Sequence, residues 1–162
     1  MLVVHESADD AKDLLKWKIS RGAQTSTADM KDPAGGGPTL RVCLYDASAS
    51  AQPLLESTVL AGGTCGGTAC WKPLGAAGGY RYKNNAGTPD GITDLKLRVG
   101  GDGELRLLVK GKGANLLLPP LGFSTPVTLA LVVEDATGTS CWRATFAAAL
   151  RNDATVFKAV SP

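Results

Sequence analysis

Apolar and polar residues alternate with a period of two in most segments of the chain, and this alternation restricts the fold more than any other feature. Residues 94–99 and 105–110 place apolar side chains at every second position, mostly with charged residues between them. Successive side chains of a strand point to opposite faces, so this pattern predicts strands with one buried face. Asp102-Gly103 between the two runs is typical of a β-hairpin, because Asp and Gly tolerate the positive φ angles of its turn.

Comparable runs recur along the chain and predict about eight or nine short strands joined by turns. They cover residues 13–20, 40–46, 54–60, 80–83, 95–99, 105–110, 126–135, 141–148 and 156–160. A short helix over residues 8–18 is the alternative for the first run, because Ser7 suits a helix cap and Asp9 and Asp10 suit a first turn. The pattern predicts an all-β fold, an antiparallel β-sandwich that is Ig-like or jelly-roll-like, with at most one short helix.

The length of 162 residues fits one domain with one core. We expect residues 1–12 to be an N-terminal extension and residues 13–162 to form the sandwich. No run of about 18 apolar residues indicates a membrane span.

Residues 1–10 lack the basic start and apolar stretch of a secretory signal, which by itself suggests a cytosolic protein. The formal charge of +2 provides no global field to attract nucleic acid or an anionic membrane.

The cysteines point to a different compartment. Cys43, Cys65, Cys70 and Cys141 allow three pairings. Cys65 and Cys70 flank a glycine-rich tetrapeptide that favours a short closed loop, which leaves Cys43 to pair with Cys141. A zinc site and free thiols are the alternatives, but structural zinc uses paired Cys knuckles, and this chain has one close pair with no His near it. Two disulfides imply an oxidising compartment, and so an extracellular or cell-envelope location for a piece of a longer protein.

Residue types that carry catalysis are sparse in this chain. The only imidazole belongs to His5, near a terminus expected to fray, which argues against a Ser-His-Asp or Cys-His relay. The glutamates stand singly, which favours solvated carboxylates over a glycosidase pair. They are Glu6, Glu56, Glu104 and Glu134. We therefore expect no catalytic residues and no enzymatic activity.

Two further patterns resemble ligand sites only in part. Residues 109–116 are rich in Gly and Lys, but they lack the Gly-x4-Gly-Lys-Ser/Thr spacing and the following helix of a phosphate loop. Asp90, Asp94 and Asp102 make surface calcium an alternative, although their spacing is not that of an EF-hand. We expect structural turns at both places, with no metal and no cofactor.

Three aromatic residues, Trp71, Tyr80 and Tyr82, lie close together in the sequence around a glycine-rich segment. They alternate with the cations Lys72, Arg81 and Lys83. The favoured interpretation is that Trp71 and one Tyr fill the core. The alternative is an exposed platform on which sugars stack, with the cations as hydrogen-bond donors.

Several short motifs follow one another along the chain, namely Cys65-x4-Cys70-Trp71-Lys72, Gly79-Tyr80-Arg81-Tyr82-Lys83, Asp90-Gly91-Ile92, Gly101-Asp102-Gly103, Val109-Lys110-Gly111-Lys112-Gly113-Ala114-Asn115-Leu116, Pro126-Val127-Thr128 and Cys141-Trp142 with Phe146. Their order resembles a module that recurs in predicted secreted or envelope proteins of environmental bacteria. The resemblance covers residues 15–162 and implies an extracytoplasmic, non-catalytic module, often part of a longer polypeptide. It brings no catalytic residue with it.

Together these observations predict a non-catalytic extracytoplasmic structural or interaction module, part of a larger secreted or cell-surface protein or assembly. Exposed strand edges are its expected contact surface, because they accept an added strand from a partner. The expected partner is another protein, another domain of the same polypeptide, or a second copy of the chain. The alternative function is carbohydrate binding through Trp71, Tyr80 and Tyr82, and neither nucleic acid nor a membrane span is expected.

Overall fold

The computed structural model of the chain describes residues 1–48 and 52–160. These residues form 14 strands, linked by turns and by three single-turn 3-10 helices at Asp10–Lys12, Thr27–Met30 and Gly75–Ala77. In chain order the strands are β1 (Leu2–His5), β2 (Leu14–Ile19), β3 (Thr39–Tyr45), β4 (Leu55–Val59), β5 (Thr64–Cys65), β6 (Thr68–Ala69), β7 (Trp71–Pro73), β8 (Tyr80–Lys83), β9 (Ile92–Arg98), β10 (Arg106–Lys112), β11 (Val127–Asp135), β12 (Gly138–Phe146), β13 (Arg151–Asn152) and β14 (Val156–Ala159).

The strands build two large sheets. An eight-stranded sheet has the order β13-β14-β1-β2-β10-β9-β8-β7, a four-stranded sheet has the order β12-β11-β3-β4, and β5 and β6 form a separate hairpin. Every strand pairing is antiparallel. The buried faces of the two large sheets share one hydrophobic core. The predicted antiparallel β-sandwich is confirmed, and each of the nine predicted runs corresponds to a strand.

The period of two decides which side chains enter that core. In β2, Leu15 and Trp17 are fully buried, whereas Lys18 between Trp17 and the next apolar residue is exposed. In β11 of the facing sheet, Leu129 and Leu131 are buried to the same extent. Burial of a large apolar side chain stabilises the folded state by about 1.5–3 kcal/mol, and most strands gain it through alternate residues. Strands β3 and β11 also bury Cys43 and Ala130 on the opposite face.

The prediction that residues 1–12 form an extension is wrong. Strand β1 lies inside the eight-stranded sheet, between β14 and β2, with Leu2 paired to both Ala159 and Trp17. Leu2 and Val4 are fully buried. His5 is therefore held in a strand and does not lie in a frayed end. The run is short and lacks alternation, so its periodicity gives no strand signal. Residues 161 and 162 of the predicted domain lie outside the described residues.

Segments outside the sheets cover the flanks of the larger sheet. Phe123, in the segment before β11, packs on Phe157 of β14 with ring centroids 5.3 Å apart. Its carbonyl accepts a hydrogen bond of 2.7 Å from the side-chain amide of Asn152. At the other flank, the indole N–H of Trp71 in β7 donates to the carbonyl of Leu60 at 2.8 Å. These contacts join loop segments to the same core as the strands.

Two buried hydroxyl groups predict opposite effects of removing an oxygen atom. Ser57 faces inward from β4, and its Oγ has no hydrogen-bond partner in the described structure. The Thr25 hydroxyl accepts a 3.1 Å bond from the indole N–H of Trp142. Ser57→Ala should raise the free energy of unfolding by about 1 kcal/mol, because an unpaired polar atom leaves the core.

Thr25→Val is the matched comparison and should lower the free energy of unfolding by about 1–3 kcal/mol, because it leaves a buried indole N–H unpaired. Urea denaturation of both variants and the parent measures the two changes. A loss of stability in Ser57→Ala would contradict the assignment of its hydroxyl as an unpaired group.

Candidate functional site

The three aromatic residues proposed as a sugar platform do not form an exposed surface. Trp71 is 2% exposed and Tyr82 is 1% exposed. Their rings pack together at a centroid distance of 5.1 Å and an interplanar angle of 49°. Both residues belong to the hydrophobic core, which confirms the interpretation that Trp71 and one Tyr fill it. The platform prediction is wrong for these two residues, because a sugar cannot stack on a ring that is already covered.

Tyr80 lies at the margin of the same inner face. Its ring packs against the core while its hydroxyl donates to Oδ1 of Asp32 at 3.1 Å. This hydrogen bond ties the segment before β3 to β8. Tyr80 is therefore occupied by a structural contact, and the alternation in β8 sends Arg81 and Lys83 to the other face of the sheet.

The cysteine predictions are half confirmed. Cys65 and Cys70 form a disulfide that closes the β5–β6 hairpin. Cys43 and Cys141 are free thiols, so the prediction of a second bridge is wrong. Cys43 pairs with Ala130 and Cys141 pairs with Val132, both in β11. Strand β11 thus separates them by two inter-strand spacings, roughly 9.6 Å, which exceeds the roughly 7 Å that a disulfide spans between Cα atoms.

The two free thiols differ in their surroundings. Cys43 is 3% exposed, and its Sγ lies 4.0 Å from a carboxylate oxygen of Glu56. Burial raises the pKa of the Cys43 thiol, against an opposing hydrogen bond from Tyr45. Cys141 is an exposed residue of β12, and partial burial of its thiol also raises its pKa, against the opposing charge of Arg143. A raised pKa lowers the thiolate fraction, so neither side chain has the character of an activated nucleophile.

The carboxylates singled out in the sequence have separate structural contacts. Glu134 lies 2.9 Å from Arg41, and Glu104 accepts a 2.8 Å bond from the backbone N–H of Gly101. His5 faces Leu14 and Val156 across the sheet, and neither of these side chains can take part in a proton relay.

The three aspartates of the calcium alternative also have different environments. Asp90 accepts a 2.8 Å bond from the backbone N–H of Thr58, Asp94 lies 3.9 Å from Arg81, and Asp102 lies in the turn between β9 and β10. Within residues 1–48 and 52–160, no group of three His, Cys, Asp or Glu side chains is placed to hold a metal ion. The helices in this part of the chain are too short and insufficiently apolar to cross a bilayer.

A cleft of about 670 Å³ runs along the free edge of β12. It lies between residues 141–145 of β12 and residues 18–23, which comprise the end of β2 and the segment after it. Ile19 and Val160 supply accessible apolar surface to it, whereas Trp142 and Leu105, which also line it, are buried in the core. Its cationic side chains are Lys18, Arg21 and Arg143, and none of its lining residues is acidic. The cleft therefore combines an apolar floor, a positive rim and a strand edge.

Strand β12 is the longest edge strand of either large sheet. Its nine residues pair with β11 on one side, and no other strand of the described chain pairs with it. Alternate N–H and C=O groups of an edge strand point away from its neighbour and are available to another chain. The sequence predicts contact at exposed strand edges but does not indicate β12, because which strand lies at an edge depends on the order of strands in the sheet.

The other sheet edges are short or protected. Strands β13 and β7 have two and three residues, and β7 ends in Pro73, which has no N–H to donate. At the β4 edge, the carboxylate of Asp90 accepts the backbone N–H of Thr58. The β12 edge and its cleft are therefore the best candidate functional site.

The arrangement of the cysteines predicts a simple labelling pattern. In the folded protein a thiol reagent should modify Cys141 and leave Cys43 unmodified, because Cys43 is buried under its neighbours. After unfolding without reductant, both thiols should react. Mass spectrometry should detect a gain of about 2 Da on reduction, since one disulfide takes up two hydrogens. A gain of about 4 Da, or no labelling of Cys43 and Cys141 in the unfolded chain, would contradict this assignment and support a Cys43–Cys141 disulfide.

Comparison of the chain with protein-family models, with curated proteins and with solved structures finds no match. The resemblance to a secreted or envelope module therefore stays a prediction. A fold alone does not define an activity, so the function must be argued from the surfaces that these residues form.

Proposed function

We propose that this protein is a non-catalytic extracytoplasmic interaction module that binds an extended acidic peptide segment by strand addition at β12. The carrying observation is the nine-residue edge strand with an apolar, positively charged cleft beside it. In strand addition, main-chain hydrogen bonds supply affinity and alternate side chains supply specificity. A long edge strand is also an aggregation hazard unless a partner covers it.

The chemistry of the cleft defines the ligand. Ile19, Ala144 and Val160 present apolar surface to the cleft, and Arg143, an exposed residue of β12, also lines it and adds a positive charge. Lys18 and Arg21 add positive charge along the opposite wall. A segment that alternates acidic and apolar residues matches both features, because its side chains also point alternately to two faces. The segment belongs to a partner protein or to another domain of the same polypeptide.

A second copy of the chain is a poorer occupant. Pairing β12 with β12 of a second molecule would bring two Arg143-bearing edges and two positively charged clefts together. Juxtaposed like charges oppose association. Self-assembly through this edge is therefore disfavoured relative to an acidic partner.

The extracytoplasmic part of the proposal rests on the Cys65–Cys70 disulfide, because stable structural disulfides persist mainly in oxidising compartments. The non-catalytic part rests on where the candidate groups lie. His5 faces apolar neighbours, and Glu104 and Glu134 are held in turn and ion-pair contacts.

A synthetic peptide tests strand addition directly. A fluorescent peptide of about eight residues that alternates Val and Glu matches the length of a strand. We expect it to bind the folded protein, and hydrogen exchange should then slow at residues 139–145 of β12. Arg143→Glu should weaken binding about tenfold at low salt, because it reverses one charge at the cleft. Fluorescence anisotropy and amide exchange measure the two effects.

Lys112→Glu is the matched control. It makes the same charge change on an exposed residue that ends β10 and does not line the β12 cleft. Its affinity should equal that of the parent, and a peptide that alternates Val and Lys should not bind. Unchanged exchange at residues 139–145 with bound peptide would refute strand addition. The protein without peptide could instead form a dimer in light scattering, with the amides of residues 139–145 protected from hydrogen exchange. That result would show self-assembly through the β12 edge and contradict the acidic-peptide proposal.

A further inference from the structure

The outer face of the eight-stranded sheet concentrates the positive charge of the chain. Across the five adjacent strands β2, β10, β9, β8 and β7, ten of the 17 Lys and Arg residues point away from the core. They are Lys16, Lys18, Lys72, Arg81, Lys83, Lys96, Arg98, Arg106, Lys110 and Lys112. We call this surface the basic face. Although the whole chain is nearly neutral, this face is strongly positive.

Negative charge on the basic face is scarce. Asp94 is the acidic residue that shares the outward positions of these five strands. It lies 3.9 Å from Arg81, a side chain that is half exposed. Among the described residues, the other nine cations of the face make no ion pair within 4.0 Å. The basic face therefore has a large excess of positive charge that the protein itself does not neutralise.

The strand register places cations directly opposite one another. Lys72 pairs with Arg81, and Arg81 pairs with Lys96 on the next strand. Arg98 pairs with Arg106 in the same way. Like charges that face each other across two strands destabilise a sheet. A bound polyanion would remove this repulsion. The register row that begins with Lys72, Arg81 and Lys96 continues through Leu108 of β10 to Lys18 of β2, and it spans four strand spacings, roughly 19 Å.

A cleft at one end of the face adds shape to the charge. The disulfide hairpin β5–β6 forms one wall of a cleft of about 480 Å³, and Lys72, Arg81 and Lys83 line it with no acidic residue. Thr68 and Asn85 also line this cleft and carry hydroxyl and amide groups. Cations together with neutral hydrogen-bonding groups suit a ligand that carries both acidic groups and hydroxyls, which describes an acidic sugar.

The side chains of the basic face favour a polysaccharide over other polyanions. Single-stranded nucleic acid binds with its bases stacked on aromatic rings, but Trp71, Tyr80 and Tyr82 all face the core side of this sheet. Membrane-surface binding uses exposed apolar side chains that insert between lipids. The large exposed apolar residues of the described structure are Leu60, Leu117, Leu150 and Val160, none of which lies on these five strands.

We propose that the basic face binds an acidic polysaccharide, with the cleft beneath the Cys65–Cys70 hairpin as its principal subsite. Carboxylate or sulfate groups of the polysaccharide would contact the cation row, and the sugar hydroxyls would contact Thr68 and Asn85. In this proposal the sugar is bound by charged side chains, and not by stacking on Trp71, Tyr80 and Tyr82. The basic face meets the β12 cleft at Lys18 and Ile19, which line both surfaces.

Polygalacturonate, a linear chain of uronic acids, is the probe. We expect binding in calorimetry at low salt, an affinity that falls steeply as NaCl is added, and a higher melting temperature with the polysaccharide present. The double variant Lys72→Glu with Lys83→Glu should lose at least tenfold in affinity and lose the thermal shift. Both side chains are exposed, so their replacement should leave the fold intact, and circular dichroism checks this.

Arg143→Glu is the matched control, because it reverses a charge in the β12 cleft and leaves the basic face unchanged. It should keep full affinity for polygalacturonate, while the double variant should keep full affinity for the acidic peptide. Equal binding by the double variant and the parent would overturn the proposal. Equal affinity for neutral dextran would overturn it too, and so would tighter binding to an oligothymidylate or to phosphatidylglycerol vesicles at matched charge concentration and salt.

Discussion

The unequal width of the two sheets is the constraint on which the rest of the structure depends. At about 4.8 Å per strand, eight strands present an inner face roughly 38 Å wide, whereas four strands cover roughly 19 Å of it. Seven of the eight strands of the larger sheet carry buried apolar side chains on their inner face, from Phe157 in β14 to Trp71 in β7, whereas the two residues of β13 are exposed. About half of that surface must be covered by segments that are not strands of the facing sheet. The flanking segments are therefore part of the core.

Each flank solves this problem with a different local structure. Beside β14, Phe123 packs on Phe157 and is fastened by Asn152. Beside β7, the disulfide hairpin places Cys70 in the core, next to the Trp71 indole that donates to Leu60. The 3-10 helix Thr27–Met30 adds the fully buried Met30. These segments cover the flanks of the larger sheet. No such segment fills the cleft between the edge of β12 and residues 18–23. The candidate site is thus a consequence of the difference in sheet width.

Sequence periodicity predicts which face a residue occupies but not which strand lies beside it. The nine alternating runs are strands because each can bury one face, and the glycine-rich loop allows Cys65 to reach Cys70. Strand β1 was missed because Leu2-Val3-Val4 does not alternate, and β7 because three residues ending in a proline give little signal. The Cys43–Cys141 bridge failed for a topological reason, since β11 lies between the two strands. Neither the β12 edge nor the basic face can be found before the strand order is known. Strand β2 lies beside β10, although most of the chain separates them in sequence.

The near-neutral total charge results from two populations of charged residues with different positions. Nine of the 15 acidic residues accept backbone N–H groups at turns, caps and strand edges, namely Asp9, Asp13, Asp29, Asp32, Asp46, Asp90, Glu104, Asp135 and Asp153. Hydrogen bonds from Thr137 lower the pKa of Asp135, and the Arg151 guanidinium together with backbone N–H groups lowers the pKa of Asp153, so both stay ionised. Acidic residues used in this way are fixed where the chain turns, away from the middle of the strands.

The cations lie mostly at outward positions of the strands, and five neighbouring strands bring ten of them onto one face. The acidic side chains that are hydrogen-bonded at turns do not neutralise the basic face. A chain with a formal charge of +2 therefore presents one surface with the electrostatics of a much more basic protein.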